Sequence, residues 1–122
     1  MIALQLDFFE EATSEEIERA KSLLKRYRRH KDLLAELERM GNLSDKQQAA
    51  YNLYLRMNQA IERSVRLIID VEIRETIKMR FIDGVRRKEV VWHFRSMDPS
   101  TVDRRINKGI ISVANSLKIF VG

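Results

Sequence analysis

Apolar residues recur at steps of three and four along most of the chain, which is the spacing of one face of an α-helix. Alternation of the kind that marks a strand is not sustained in any segment. One proline and four glycines in 122 residues leave few breaks between the periodic segments. The pattern therefore predicts an all-α protein.

Two long helices are predicted in the first half of the chain. The first begins at or directly after Thr13, because Thr13 and Glu16 have the spacing of a capping box, and it ends at Gly41. The second begins at Ser44, with Gln47 in the matching position. Because about three residues join the two helices, we expect an antiparallel hairpin. The apolar stripes predicted to face inward are Ile17, Ala20, Leu24, Tyr27, Leu34 and Leu37 on the first helix, and Leu53, Tyr54, Met57, Ile61, Val65 and Ile68 on the second.

Three further helices are predicted in the second half. Residues 72–82 and residues 86–94 form two short ones, and the last begins after Asp98 and runs to about Ile119. Asp98 is expected to cap this last helix, and Pro99 fits its first turn, where a missing N–H has no helical partner. The side chains predicted to face inward are Ile73, Ile77 and Phe81, then Val90, Val91 and Phe94, then Val102, Ile106, Ile110, Val113 and Leu117.

The charge distribution supports a division of the chain at residue 70. The whole chain holds 23 Lys and Arg against 18 Asp and Glu, and residues 70–122 alone hold 11 against 7. A positive excess of this kind favours a polyanionic partner. We therefore interpret residues 1–69 as a helical hairpin and residues 70–122 as a three-helix unit that carries the candidate binding function.

Composition narrows the class of protein. The absence of cysteine excludes disulfides and thiolate zinc sites. No apolar run is long enough to cross a membrane, and the first residues carry acids where a signal peptide carries basic residues. The chain has no glycine-rich phosphate loop, nucleophile elbow or HExxH motif, and neither His30 nor His93 has a partner at ligand spacing. We expect a soluble, cytoplasmic protein that is not an enzyme and has no metal, cofactor or membrane contact.

The last two helices have the pattern of a helix-turn-helix. If Val102, Ile106 and Ile110 face inward, the N-terminal half of the last helix turns polar and cationic side chains outward, and this is the part that enters a major groove. Three cations open the preceding helix, where the helix dipole disfavours them, and this suggests a use for their charge. The candidate DNA contacts are Ser100, Thr101, Arg104 and Lys108 at or next to base edges, and Arg86, Arg87, Lys88 and Arg105 at phosphates.

The order of short motifs in this region is similar to that of a known family. Residues 80–84 (RFIDG) end one helix, residues 88–91 (KEVV) open the next, and residues 100–102 (STV), followed by the Arg pair at 104–105, open the last. This order resembles region 4 of sigma-70-type factors and the related helix-turn-helix of small phage regulators, over about residues 72–117. The short chain and its helical first half further resemble phage late-gene regulators of the ArpU and RinA type. The turn RSMD lacks the glycine that is usual in the family and is one residue longer.

The resemblance implies a sequence-specific DNA-binding transcriptional regulator, encoded by a phage or prophage, that acts on double-stranded DNA with RNA polymerase as a further partner. The hairpin would then form a homodimer or contact the polymerase, because palindromic operators are read by two-fold dimers. Two alternatives stay open. One is the DNA-recognition small subunit of a phage packaging terminase, and the other is a polymerase-binding or anti-sigma-like protein-interaction module.

Two more features allow a structural or a functional interpretation. The basic run KRYRRHK, residues 25–31, is interpreted first as a solvated helix face, with a contact to DNA phosphate or polymerase as the alternative. Trp92 is expected to pack against the N-terminal helices rather than to stack on a nucleic acid.

Overall fold

A computed structural model of the protein describes residues 11–95 and 98–121. Every regular element within these ranges is helical, which confirms the all-α prediction. None of the helices in these ranges combines the length and the apolar character that crossing a membrane requires. The elements are α1 (Ser14–Met40), α2 (Asp45–Arg66), α3 (Val71–Ile77), a π-helical turn (Lys78–Ile82) that continues α3, α4 (Arg87–His93) and α5 (Pro99–Phe120).

The predicted capping boxes fix the starts of both long helices. The Thr13 hydroxyl accepts a hydrogen bond from the Glu16 backbone N–H, and the Glu16 carboxylate accepts one from the Thr13 N–H. Ser44 and Gln47 make the same reciprocal pair before α2. Gly41 ends α1 with a φ of 78°, which a residue with a Cβ rarely adopts. The predicted starts of α1 and α2 and the predicted end of α1 are therefore confirmed.

The first two helices lie side by side and run in opposite directions. Near the end of α1, Glu38 accepts a hydrogen bond of 2.7 Å from the Tyr51 hydroxyl, near the start of α2. In the middle of α1, the Tyr27 hydroxyl donates to the Glu62 carboxylate, and the Asn58 side chain donates to the Tyr27 carbonyl at 3.1 Å. Burial, together with the bond to Glu62, raises the pKa of Tyr27. The Asn58 amide is buried, so its bond to the Tyr27 carbonyl pairs a polar group that the helix contact would otherwise leave unpaired.

One hydrophobic core joins the two segments that the sequence divides at residue 70. Its centre is α5, which packs against α1, α2 and α3, while the π turn packs against α1. Burial of this shared apolar surface holds the C-terminal helices against the N-terminal pair. The buried members are Ala20, Leu24, Tyr27, Ala60, Ile61, Val65, Ile68, Ile77, Phe81, Ile110, Val113, Ala114 and Leu117.

The apolar stripe predicted for α2 is wrong at its first member. Leu53 is 50% exposed, whereas the core residues that α2 contributes begin at Ala60. Leu53 precedes Ala60 by about two helical turns, so it lies outside the part of α2 that the C-terminal helices cover. A correct period predicts which side of a helix faces inward, but not how far along the helix a neighbour extends.

A glycine allows α5 to lie unusually close to α3. A Cβ placed on Gly109 would lie 2.2 Å from Cγ1 and 2.5 Å from Cδ1 of Ile77. Carbon atoms in van der Waals contact are about 3.5–4.0 Å apart, so only a residue without a side chain fits here. Gly109 is a buried residue in the interior of α5, and its lack of a side chain therefore sets the distance between α5 and α3.

The start of α5 agrees with the prediction in part. Asp98 occupies the N-cap position and Pro99 the first helical residue, but the Asp98 side chain makes no capping hydrogen bond. The helix runs one residue beyond the predicted end, to Phe120. Residues 96 and 97 of the predicted turn lie outside the described residues, as do residues 1–10 and 122.

Candidate nucleic-acid interface

The N-terminal half of α5 separates an apolar side from a polar one. Val102 is fully buried and Ile110 nearly so, while Ile106 is partly buried against the core. Opposite them, Ser100, Arg104 and Lys108 are exposed, and Thr101 is half-buried. The predicted inward and outward sides of this helix segment are therefore correct.

Arg104 and Lys108 form a like-charged pair on the outward side of α5. They are one helical turn apart, which places their Cβ atoms about 5–6 Å from each other. Neither side chain forms an ion pair within residues 11–95 and 98–121. Like charges at this spacing destabilise a helix by about 0.2–0.5 kcal/mol. The two cations are therefore unneutralised at positions where their charge adds nothing to the stability of the fold.

Arg87, by contrast, is already bonded within the chain. Its Nε and Nη2 donate to the two carboxylate oxygens of Asp103, each at 2.7 Å. This two-point bond lowers the pKa of Asp103 and raises the pKa of Arg87, because each charge stabilises the other. The pair joins the first turn of α4 to α5. Arg87 was predicted to contact phosphate, and the structure shows it orienting α4 relative to α5.

Arg105 is held among three helices. Its side chain is 17% exposed, and Nη2 donates to the Glu72 carboxylate near the start of α3. The guanidinium also lies over the Phe94 ring, 5.6 Å from its centroid, while Nη1 is buried and has no hydrogen-bond partner within the described residues. Through these contacts, Arg105 of α5 connects to α3 and to the end of α4. Because these contacts occupy its guanidinium, Arg105 is not part of the candidate DNA interface.

An exposed aromatic residue lies on the outer side of α4. Trp92 is 70% exposed and has the Arg95 guanidinium 6.0 Å from its ring centroid. It follows Lys88 by one helical turn, so the two side chains project from the same side of α4. The prediction that Trp92 packs against the N-terminal helices is wrong. The reason is that Val90 and Phe94 take the inward side of α4, and Trp92 lies opposite them.

A residue of the first basic run reaches the turn before α4. Nη1 of Arg28 donates to the Asp83 carbonyl at 3.2 Å, and a Cβ on Gly84 would lie 1.8 Å from the same atom. Gly84 has a φ of 72°, so both its backbone conformation and the space above it require glycine. Helical periodicity gives no sign of this contact, since it joins residues 55 positions apart.

The basic run is not uniformly solvated either. Tyr27 is buried in the core, and the His30 ring lies 4.5 Å from the Tyr54 ring of α2. Burial lowers the pKa of His30, and the neighbouring charges of Arg26 and Arg29 lower it further.

Among the residues that the structure describes, no group of three or more acidic or histidine side chains has the arrangement of a metal site.

Comparison of the chain with protein-family models, with curated proteins and with solved structures finds no match. The functional argument therefore rests on the side chains and contacts described above. The motif resemblance in residues 72–117 stays an expectation beside them.

Proposed function

We propose that the protein binds duplex DNA in a sequence-specific manner and regulates transcription. The observation that carries the proposal is the outward side of α5, where Arg104 and Lys108 lie one turn apart and no acid of the described residues pairs with either. The nearest acid in sequence, Asp103, is bonded to Arg87. A cationic helix face of this kind, on a protein with a net charge of +5, suits the negative potential of a DNA groove.

The proposed binding mode inserts the N-terminal half of α5 into the major groove as part of a helix-turn-helix with α4. Arg104 then donates two hydrogen bonds to O6 and N7 of a guanine, and Lys108 binds a neighbouring guanine or a phosphate. Ser100 and Thr101 bond base edges or the backbone at the start of the helix. Arg86 and Lys88, both exposed, bind phosphates beside the groove. The phosphate contacts fix the register of the helix, and Arg104 supplies sequence discrimination.

Internal contacts support this binding mode because they fix α5 in one orientation. The Arg87–Asp103 pair joins it to α4, and the Arg105–Glu72 pair joins it to α3. A reading helix must be held closely if its side chains are to meet particular base edges. The paired cations thus support the helix, while the unpaired ones remain available to DNA.

The test is selection of bound duplexes from a random pool, followed by binding measurements on the selected site. Arg104→Ala should lose about 1–3 kcal/mol, or about 5- to 150-fold in Kd, and relax the preference at one base position. Arg63→Ala, on the exposed outer face of α2, is the matched control because it removes the same charge elsewhere. Equal losses for the two variants on selected and random DNA alike would refute the role of α5.

The further parts of the proposal concern the regulator's partners. Following the resemblance, we propose a phage or prophage regulator that binds as a homodimer through the end of the α1–α2 pair next to the connecting loop. Leu33, Met40 and Leu53 are large apolar side chains exposed there, which favours a protein contact. A palindromic selected site, together with a dimer in solution, would support this assignment. A monomer bound to an asymmetric site would contradict it.

One observation favours a second candidate function, a module that binds RNA polymerase or another protein. Exposed tryptophans are frequent anchors of protein interfaces, and Trp92 is accompanied by Lys88 and Arg95. This candidate predicts tight polymerase binding without salt-sensitive binding to duplex DNA. The DNA-reading proposal predicts the reverse for the isolated protein.

A further inference from the structure

One edge of α1 carries basic side chains beside the turn that leads into α4. Lys21, Lys25 and Arg28 follow one another at steps of four and three, so they share that edge. Arg28 bonds the Asp83 carbonyl directly, three residues before Arg86, the N-cap residue of α4. The contact places this edge of α1 next to the start of α4, where the proposed phosphate contacts lie.

We propose that this edge of α1 binds the phosphate backbone of the same DNA duplex, beyond the segment that α5 reads. The inference rests on the proposed function and extends it. It assigns a binding role to part of the helix pair whose partner the sequence leaves open. The DNA footprint of the protein then includes both α1 and the C-terminal helices.

The charges of α1 fit a polyanion. Residues 19–31 hold seven Lys and Arg and no Asp or Glu. Lys25 is exposed and Lys21 half-buried, and neither forms an ion pair within the described parts of the chain. Burial lowers the pKa of His30, and the charges of Arg26 and Arg29 lower it further, which agrees with a positive potential along this helix. Acids occur only at the two ends of the stretch, at Glu18 and Asp32.

The dimensions of the edge also suit a DNA strand. Lys21 and Arg28 are seven residues apart, which is about 10.5 Å along the helix axis. One strand of B-DNA advances about 3.4 Å per phosphate, so this length faces about three phosphates. Arg28 uses one nitrogen for the Asp83 carbonyl, and a guanidinium has further N–H donors. Arg28 thus positions the edge, while the two lysines supply free charge.

The test compares Lys21→Ala/Lys25→Ala with the matched control Arg63→Ala/Arg66→Ala. The control removes the same two charges from the exposed outer face of α2. Two duplexes are used, one trimmed to the selected site and one with flanking base pairs on both sides. Each lost phosphate contact lowers the slope of log K against log salt by about 0.9, so the double variant should lose about 1.8 on the flanked duplex. Its slope on the trimmed duplex should stay close to that of the unaltered protein.

The possible outcomes separate this inference from the proposed function. If the unaltered protein binds the selected duplex but the lysine variant matches the control on both duplexes, α1 does not bind DNA and only this inference is wrong. If the lysine variant loses the same affinity whatever the sequence of the flanking base pairs, and its preference for the selected site is unchanged, the result supports phosphate binding. If the unaltered protein binds no duplex DNA, both proposals are wrong. Far-ultraviolet circular dichroism confirms that the variants are folded, as expected for exposed and half-buried lysines.

Discussion

Substitution of Gly109 by alanine tests the close contact between α5 and α3. In the interior of an ordinary helix, alanine is more favourable than glycine by about 1 kcal/mol. At position 109 the added Cβ would lie 2.2 Å from Cγ1 of Ile77, which is more than 1 Å inside normal contact distance. Overpacking of a core costs about 1–3 kcal/mol. The variant should therefore be as stable as the unaltered protein or less stable by up to about 2 kcal/mol.

The measurement is the free energy of unfolding in urea, for Gly109→Ala both in the unaltered protein and in an Ile77→Ala background. Ile77→Ala removes both of the closest atoms, and Ile73 Cγ2 then remains at 3.2 Å. Alanine at position 109 should become neutral or stabilising in this background, so its effect on stability is more favourable there than in the unaltered protein. A gain of about 1 kcal/mol for Gly109→Ala in the unaltered protein would refute the close approach. Ile77→Ala alone should lower the free energy of unfolding by about 2–5 kcal/mol. The double variant is compared with Ile77→Ala, and Gly109→Ala with the unaltered protein.

Two other substitutions test the neighbouring contacts. Asp103→Asn removes the carboxylate that Arg87 stabilises, and this bond lowers the pKa of Asp103 in the folded protein. The stabilisation is therefore fully present above the unfolded-state pKa of about 3.9. It is lost as the pH falls through the lower folded-state pKa. Thermal unfolding measured from neutral to acidic pH should therefore show that the variant is less stable at neutral pH and as stable as the unaltered protein in acid. A difference in stability that persists at the lowest pH would contradict this. Trp92→Ala should change the free energy of unfolding by less than about 0.5 kcal/mol, because the side chain is 70% exposed. A loss of about 3–5 kcal/mol in urea unfolding, as for a core aromatic, would mean that Trp92 is buried.

Local signals allowed the helices to be predicted from sequence. The capping boxes of Thr13 and Ser44 involve residues three apart, and the positive φ of Gly41 depends on that residue alone. Helical periodicity likewise separated the inward Val102 from the outward Arg104. All of these depend on neighbours within about one turn of helix, which is the range over which sequence pattern is informative.

Contacts between distant segments were not predictable in the same way. Arg28 reaches Asp83 across 55 residues, and Arg105 reaches Glu72 across 33. Both arginines look like solvent-facing cations in the sequence, because nothing near them in the chain identifies their partners. The exposure of Trp92 has a similar cause. Periodicity puts Val90 and Phe94 on the inward side of α4 and Trp92 opposite them, but no local sign tells whether another element covers that opposite side.

The division of the arginines and lysines into two groups carries the functional argument. Arg87, Arg105 and Arg28 make specific bonds to Asp103, Glu72 and the Asp83 carbonyl, and each bond joins two different segments. A guanidinium suits this role because it donates several hydrogen bonds in a fixed plane. Arg104 and Lys108 have no such partner within the described residues, although Asp103 lies directly beside Arg104 in sequence. Because Asp103 is bonded to Arg87, it does not neutralise Arg104, and the side of α5 that carries Arg104 and Lys108 stays positive. The core holds this helix in place, and the bonds of Arg87 and Arg105 add to that hold. This combination of a fixed helix and unneutralised cations is what a DNA-reading surface needs, and charge serving only solubility does not require it.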